Sequence, residues 1–169
     1  MENSIHAGSY IYTNDNNISK IEKIIEDHNE LYFYCSNNRV YTLKNILKYK
    51  DYLIEIIDEI IDLSSWTTKY TIIEELYLLG FLMNERTFRS EVEEYNNLYA
   101  NHKVDQYVAH SSKGYILTED RNIIIDSLKD LRKRGIDQLT KYSKGMKALG
   151  ENANMTLKIK NNEMYYTEY

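Results

Sequence analysis

At 169 residues, with 43% hydrophobic and 28% charged side chains, the chain is long enough to bury a core without metal or disulfide support. A net charge of −5 excludes a uniformly basic nucleic-acid protein, and the single cysteine, Cys35, excludes an internal disulfide and points to a reducing cytosol. No run approaches about 18 continuous apolar residues and no apolar segment follows a basic N-terminal one, so neither a membrane span nor a signal peptide is expected.

Residues 1–17 are polar and Asn-rich, with Tyr10-Ile11-Tyr12 as a short strand. Apolar residues at 18, 21, 24 and 25 have helical spacing and predict a helix over residues 18–28. Residues 31–35 and 39–43 read as a hairpin, because Asn37 and Asn38 between them tolerate the positive φ of a tight turn. Residues 43–63 read as one long helix. Its apolar side is Leu47, Leu53, Ile54, Ile56, Ile57, Ile60 and Ile61, and Asp51, Glu55, Asp58, Glu59 and Asp62 recur at steps of three and four on the other. Ser64-Ser65-Trp66-Thr67 breaks the pattern.

The next segment reads helix, sharp turn, helix, hairpin, long helix. A helix over residues 71–79 ends at Gly80, which suits a left-handed C-terminal residue. Asn84 is placed to cap a helix over residues 85–99, whose stripe of Phe88, Val92, Tyr95 and Tyr99 predicts the buried face. Residues 106–110 and 114–118 form a hairpin turning at Ser111-Ser112-Lys113, with Gly114 supplying backbone freedom. Thr118 caps the last helix, with acids in its first turn and Ile124, Leu128, Leu131, Leu139 and Met146 in its apolar stripe. Gly135 and Gly145 weaken that helix and allow a bend. Residues 155–169 resemble a second hairpin. The expected fold is therefore α+β, mostly helical with small hairpins: an acidic α+β extension at 1–65, a winged helix-turn-helix with a long terminal helix at 66–150, and a tail at 151–169.

Charge is unevenly spread along this frame. Residues 1–105 carry 10 basic and 18 acidic side chains, whereas residues 106–150 carry 9 basic and 5 acidic, which permits a localised phosphate-binding face. The 17 tyrosines, with no proline, read as coding bias rather than a base-stacking surface. No catalytic constellation stands out. His6, His28, His102 and His110 lack metal-ligand spacing with one another or with Cys35, which reads as a core residue, and no phosphate-binding loop is present. A non-enzyme without cofactor or metal is expected.

A helix-turn-helix with a hairpin wing presents one helix to a groove of nucleic acid. On the helix 85–99, Arg86 and Arg89 suit bidentate contacts to guanine and Ser90 a base or phosphate. Ser111, Ser112 and Lys113 in the wing, and Lys103, suit backbone phosphates, and Arg132 and Lys133 extend the basic set along the last helix. Glu85, Glu91, Glu93 and Glu94 on the same helix oppose this by repelling phosphate. From Tyr70 onward, Arg86-Thr87-Phe88-Arg89, His110-Ser111-Ser112-Lys113-Gly114-Tyr115 and Leu131-Arg132-Lys133-Arg134 make the chain resemble small winged-helix proteins encoded in phages and prophages of Firmicutes. That resemblance implies binding to double-stranded DNA as a regulator or replication accessory, with the long helix adding phosphate contacts or joining a homodimer. The alternative is a protein-binding inhibitor of host defence, similar to an anti-CRISPR, whose row Asp51, Glu55, Asp58, Glu59 and Asp62 acts on a nucleic-acid enzyme.

Overall fold

The computed structural model describes residues 5–148 together with the strands Met155–Lys160 and Glu163–Glu168. The chain divides between Ile124 and Ile125 into two compact units. The first begins with five antiparallel strands, β1 (Tyr10–Thr13), β2 (Ile18–Asp27), β3 (Glu30–Cys35), β4 (Val40–Thr42) and β5 (Ile46–Lys50), in the order β4-β3-β2-β1-β5. A 3-10 turn at Leu43–Asn45 brings the chain back so that β5 pairs with β1.

Two expectations are corrected here. Residues 18–28 form a strand, not a helix. The spacing 18, 21, 24 that looked helical has another cause: Ile18 and Ile21 point to opposite faces, and a bulge between Ile21 and Lys23 shifts the alternation before Ile24. Residues 43–63 are likewise not one helix. They divide into the 3-10 turn, β5 and the helix α1 (Leu53–Ile61), because the open edge of β1 recruits Ile46–Lys50 as a strand. The expected strand at Tyr10 and the hairpin at residues 31–43 are present, with Asn38 at φ +61 in its turn.

The sheet is buried on both faces. Ile11, Ile21, Phe33, Cys35 and Tyr41 form a core on one side. On the other, Tyr10 and Ile18 join Leu53, Ile54, Ile56 and Ile57 of α1 and the buried faces of α2 (Lys69–Leu78) and α3 (Glu85–Ala100) in a single core. Buried polar groups are satisfied locally, as when Thr13 Oγ1 donates to the Asn17 carbonyl at 3.0 Å.

The hairpin β6 (Tyr107–Ser111) and β7 (Gly114–Thr118) packs behind α3. Tyr107, Ala109 and Ile116 make a third cluster with Ile124, from the first turn of α4 (Arg121–Ala148). Asp120 rather than Thr118 stands at the start of that helix, its Oδ1 accepting from the Asn122 N–H at 2.8 Å, while Thr118 Oγ1 accepts from the Asp120 N–H. The helix runs on through Gly135 and Gly145. In the second unit, β8 (Met155–Lys160) pairs antiparallel with β9 (Glu163–Glu168), as the expected tail hairpin does. The expected helix end at Leu149, the turn at Asn161-Asn162 and Tyr169 lie outside the described residues. The fold is thus α+β, with four helices and a five-stranded antiparallel sheet plus hairpins among the described residues; the sheet makes its N-terminal part richer in strand than expected. No described helix is long and apolar enough to cross a membrane.

Candidate nucleic-acid interface

Helix α3 is anchored by three of the four residues of its expected stripe; the fourth, Tyr99, is only partly buried and packs against the Tyr107 cluster. Phe88, Val92 and Tyr95 are buried, and the Phe88 ring meets Tyr115 of β7 edge-to-face at 5.0 Å. Asn84 caps the helix, its side chain accepting from the Thr87 N–H at 2.9 Å. Gly80, at φ +71, and the residues to Met83 form the turn that separates α2 from α3. The opposite face of α3 is therefore outward. Arg86, Arg89 and Ser90 are exposed there and line one shallow surface depression with Glu85 and Glu93.

Glu85 organises this end of the helix. One carboxylate oxygen accepts from Lys69 Nζ at 2.8 Å and the other from the Arg89 guanidinium. The hydrogen bond from Lys69 holds the Glu85 carboxyl below its ordinary range and raises the Lys69 ammonium above its own. Arg89 is thus steered along the helix by one carboxylate yet stays exposed on its surface.

The hairpin turn lies beside the start of α2. Thr67, just before that helix, pairs with Tyr115 of β7: Thr67 N–H donates to the Tyr115 carbonyl at 2.9 Å and Tyr115 N–H to the Thr67 carbonyl at 2.8 Å. Gly114 makes this approach possible. Its φ is +121, and a Cβ there would lie 2.2 Å from the Thr67 oxygen. Thr68 caps α2, its hydroxyl oxygen accepting from the Thr71 N–H at 3.2 Å. Thr67 and Lys69 thus link the hairpin turn to Glu85 and Arg89 on α3.

These contacts bring Lys69 and Arg89 together on Glu85 beside Arg86, and set the backbone at Gly114, next to Lys113, against Thr67 and Thr68. Sequence reasoning missed Lys69, whose signal was its place at the first residue of the first helix of the pair. It also missed Asn96, which clamps α3 to β6 by donating to the Val108 carbonyl at 3.1 Å and accepting from its N–H at 2.9 Å. Ser111 Oγ accepts from the Lys113 N–H at 3.1 Å, so that hydroxyl shapes the turn. Lys103 follows the far end of α3, whose 16 residues span about 24 Å, and is not brought to the group. Arg132 and Lys133 are exposed on α4 in the second unit.

The acidic row of α1 is largely engaged within the chain. Asp51 faces His6 Nε2 at 3.2 Å and accepts from Ser9 Oγ, and Asp58 accepts from the Leu63 N–H at 2.8 Å. Glu59 binds Lys48 and Lys50, and Asp62, in the left-handed region, accepts from the Ser64 N–H at 3.1 Å. Glu55 is half-buried, and burial raises its carboxyl above the ordinary range. Burial also pushes the Cys35 thiol to about 11, which leaves it protonated and inert at neutral pH. Compared with known protein families, curated proteins and solved structures, the chain matches none.

Proposed function

We propose that this chain is a winged-helix protein that binds double-stranded DNA without catalysing a reaction, as a regulator or replication accessory of a phage or mobile element. The observation that carries the reading is the outward face of α3, where Arg86 and Arg89 are exposed side by side and Lys69 of α2 shares Glu85 with Arg89. The element order supports it. Helix α1, the Thr67 bridge, α2, α3 and the β6–β7 hairpin follow one another as the helices and strands of a winged helix do. In this reading α3 enters the major groove, Arg86 and Arg89 meet base edges, and Lys69, Ser112 and Lys113 meet phosphates on either side. Arg132 and Lys133 on α4 add phosphate contacts, or α4 joins a second copy.

The alternative, an acidic face acting on a nucleic-acid enzyme, draws less support, because Asp51, Asp58, Glu59 and Asp62 are already bonded within the chain. The five-stranded sheet itself does not choose between the readings, because one scaffold hosts many unrelated functions.

Fluorescence anisotropy with short duplexes across a salt series tests the proposal. Four cations on the phosphates give a log–log slope of about −3.6, so affinity falls roughly a hundredfold between about 50 and 200 mM salt. Failure of micromolar protein to bind any duplex at low salt overturns it.

A further inference from the structure

Helix α2 is apolar on two sides, and the first unit covers only one of them. Ile72 and Leu76 lie in the core, whereas Tyr70, Tyr77 and Leu78 are 71%, 65% and 69% exposed. A helix apolar around its circumference is ordinarily enclosed by neighbours. Tyr70, Ile73, Glu74 and Tyr77 have the i, i+3, i+4, i+7 spacing of one helix face, and with Leu82, Met83 and Asn84 of the following turn they line a groove of about 670 Å³. Leu82 is 80% exposed. The two tyrosines alone present roughly 200–350 Å² at these exposures, so with Leu78 and Leu82 the patch reaches the size that marks interaction sites on single chains.

The second unit offers a surface of the complementary kind. Leu128, Leu131 and Tyr142 of α4 are all exposed. At 3.6 residues per turn they fall on one narrow side of the helix with Leu139 and Met146. Gly135 lies in the same stripe. It weakens the helix by about 1 kcal/mol relative to alanine, yet nothing among the described residues comes within 4 Å of where its Cβ would stand. Its small size therefore serves no packing within the described chain. Charge differs in sign between the two surfaces. Residues 1–124 carry 12 basic and 20 acidic side chains, whereas α4 carries eight basic and three acidic. Glu74, in the groove, and its neighbour Glu75 form no ion pair among the described residues. Lys69 Nζ, 4.9 Å from the centre of the Tyr70 ring, is already bound to Glu85.

We propose that the groove on α2 receives α4 of a second copy of the chain, the two copies exchanging these helices about a twofold axis. Tyr70, Tyr77 and Leu82 of one copy pack along Leu128, Leu131 and Tyr142 of the other. Gly135 leaves room for a ring, and Glu74 and Glu75 meet the basic side chains that flank the stripe. Charge selects this pairing over its two symmetric rivals. Helix α4 against α4 would oppose two strongly basic flanks, and groove against groove would oppose Glu74 and Glu75 with themselves. The exchange also uses both surfaces twice, which doubles the covered area towards the roughly 1,200–2,000 Å² of stable interfaces. The contact does not involve Arg86 and Arg89 on α3, so it does not rest on the DNA reading.

Sedimentation equilibrium of the full-length chain, from about 1 to 200 µM and without DNA, tests the proposal. The expected result is a monomer–dimer equilibrium with a micromolar or lower Kd. Tyr77→Glu/Leu82→Glu in the groove and Leu131→Glu/Tyr142→Glu on α4 each raise that Kd at least about a hundredfold. An equimolar mixture of the two variants retains one intact groove and one intact stripe, and associates at least about tenfold more tightly than either variant alone. All four side chains are exposed, so the variants are expected to fold, with circular dichroism as the check. The second measurement uses the photoreactive residue benzoylphenylalanine in place of Tyr77, in a mixture of isotopically heavy and light protein. Cross-links from this position to α4 that join heavy to light chains are expected. A chain that stays monomeric at about 200 µM overturns the proposal. So does a dimer that survives the groove variant, which means α4 pairing, or the α4 variant, which means groove pairing. Cross-links confined to single chains likewise overturn it, and if either variant does not fold, the cross-linked peptides decide. Duplex binding enters none of these readouts, so its failure leaves them unchanged.

Discussion

Gly114→Ala is expected to be among the most damaging single-methyl additions in the first unit, and the cost divides into two parts. Holding alanine at φ +121 costs about 1–3 kcal/mol. The added Cβ would also lie 2.2 Å from the Thr67 oxygen and 2.6 Å from its carbonyl carbon, so the strand pairing must separate. That sacrifices the two hydrogen bonds between Thr67 and Tyr115, worth about 0.5–1.5 kcal/mol each. A total near 4 kcal/mol corresponds to a fall in Tm of roughly 15 °C for a unit of about 120 residues. Gly8→Ala supplies the control. Its φ is +102, but a Cβ there meets nothing within 4 Å, so strain acts alone. Urea denaturation of the two variants, with unchanged m values, isolates the clash. Equal losses would refute the argument, because the hairpin would then not lie against Thr67 and Lys113 would not be brought beside the start of α2.

Three further outcomes are expected. Phe88→Ala, which empties a fully buried site and removes the ring contact with Tyr115, costs about 3–5 kcal/mol by chemical denaturation, and a loss under 1 kcal/mol would show that α3 is not seated as described. Glu85→Gln releases Lys69 and Arg89 from a carboxylate that also repels phosphate, so duplex affinity in low salt rises roughly threefold to tenfold; weaker binding would mean that Glu85 positions Arg89 productively. Glu55 tests pH dependence. Its carboxyl is raised by burial, with Asp51 adding to the shift and Lys50 opposing it, so the folded chain binds that proton more readily than the unfolded one. The resulting penalty is absent below the unfolded pKa and grows as pH rises through the folded one. Glu55→Gln therefore stabilises the chain at about pH 7, and the gain shrinks towards about pH 4. Destabilisation at neutral pH would show that the pairing with Lys50 outweighs the burial.

What was legible in the sequence followed the range of the interactions that decide each element. The cap at Asn84, the turn at Gly80 and the stripe Phe88, Val92, Tyr95 are local features, and the structure places each as expected. Strand β2 was misread because the bulge at Glu22 and burial on both faces produce a three-residue spacing with no helix behind it. The turn His28-Asn29, both residues at positive φ, was the local sign against a helix there. Strand β5 depends on an edge offered by β1, more than thirty residues earlier, and its junction with α1 is hidden because Tyr52 caps that helix without a side-chain hydrogen bond. In the candidate interface, Arg86, Arg89 and Lys113 could be named from residue type alone. Lys69 required knowledge of its distance to Glu85, and the engagement of Asp58 and Glu59 required the folds of the segments on either side of them.

In the proposed DNA-binding reading, the acidic balance of the chain bears on the strength of binding through the charges nearest the contact. At physiological salt a charge is felt over about 8 Å, so the phosphates respond to the groups at the contact and little to the remote carboxylates. Many of those are in any case paired, as Asp15 with Arg39 at 2.6 Å and Glu59 with Lys48 and Lys50. At the N-terminal ends of α2 and α3, Lys69, Arg86 and Arg89 stand around Glu85 and, further along α3, Glu93. A surplus this small supports modest affinity from one copy. The salt slope therefore counts copies as well as contacts. A value near −3.6 describes one chain using Lys69, Arg86, Arg89 and Lys113, whereas about −7 at saturation requires two chains on the duplex or a comparable contribution from the basic residues of α4. Arg132→Ala/Lys133→Ala separates these last two, because it lowers the slope by about 2 only if α4 touches the phosphates itself.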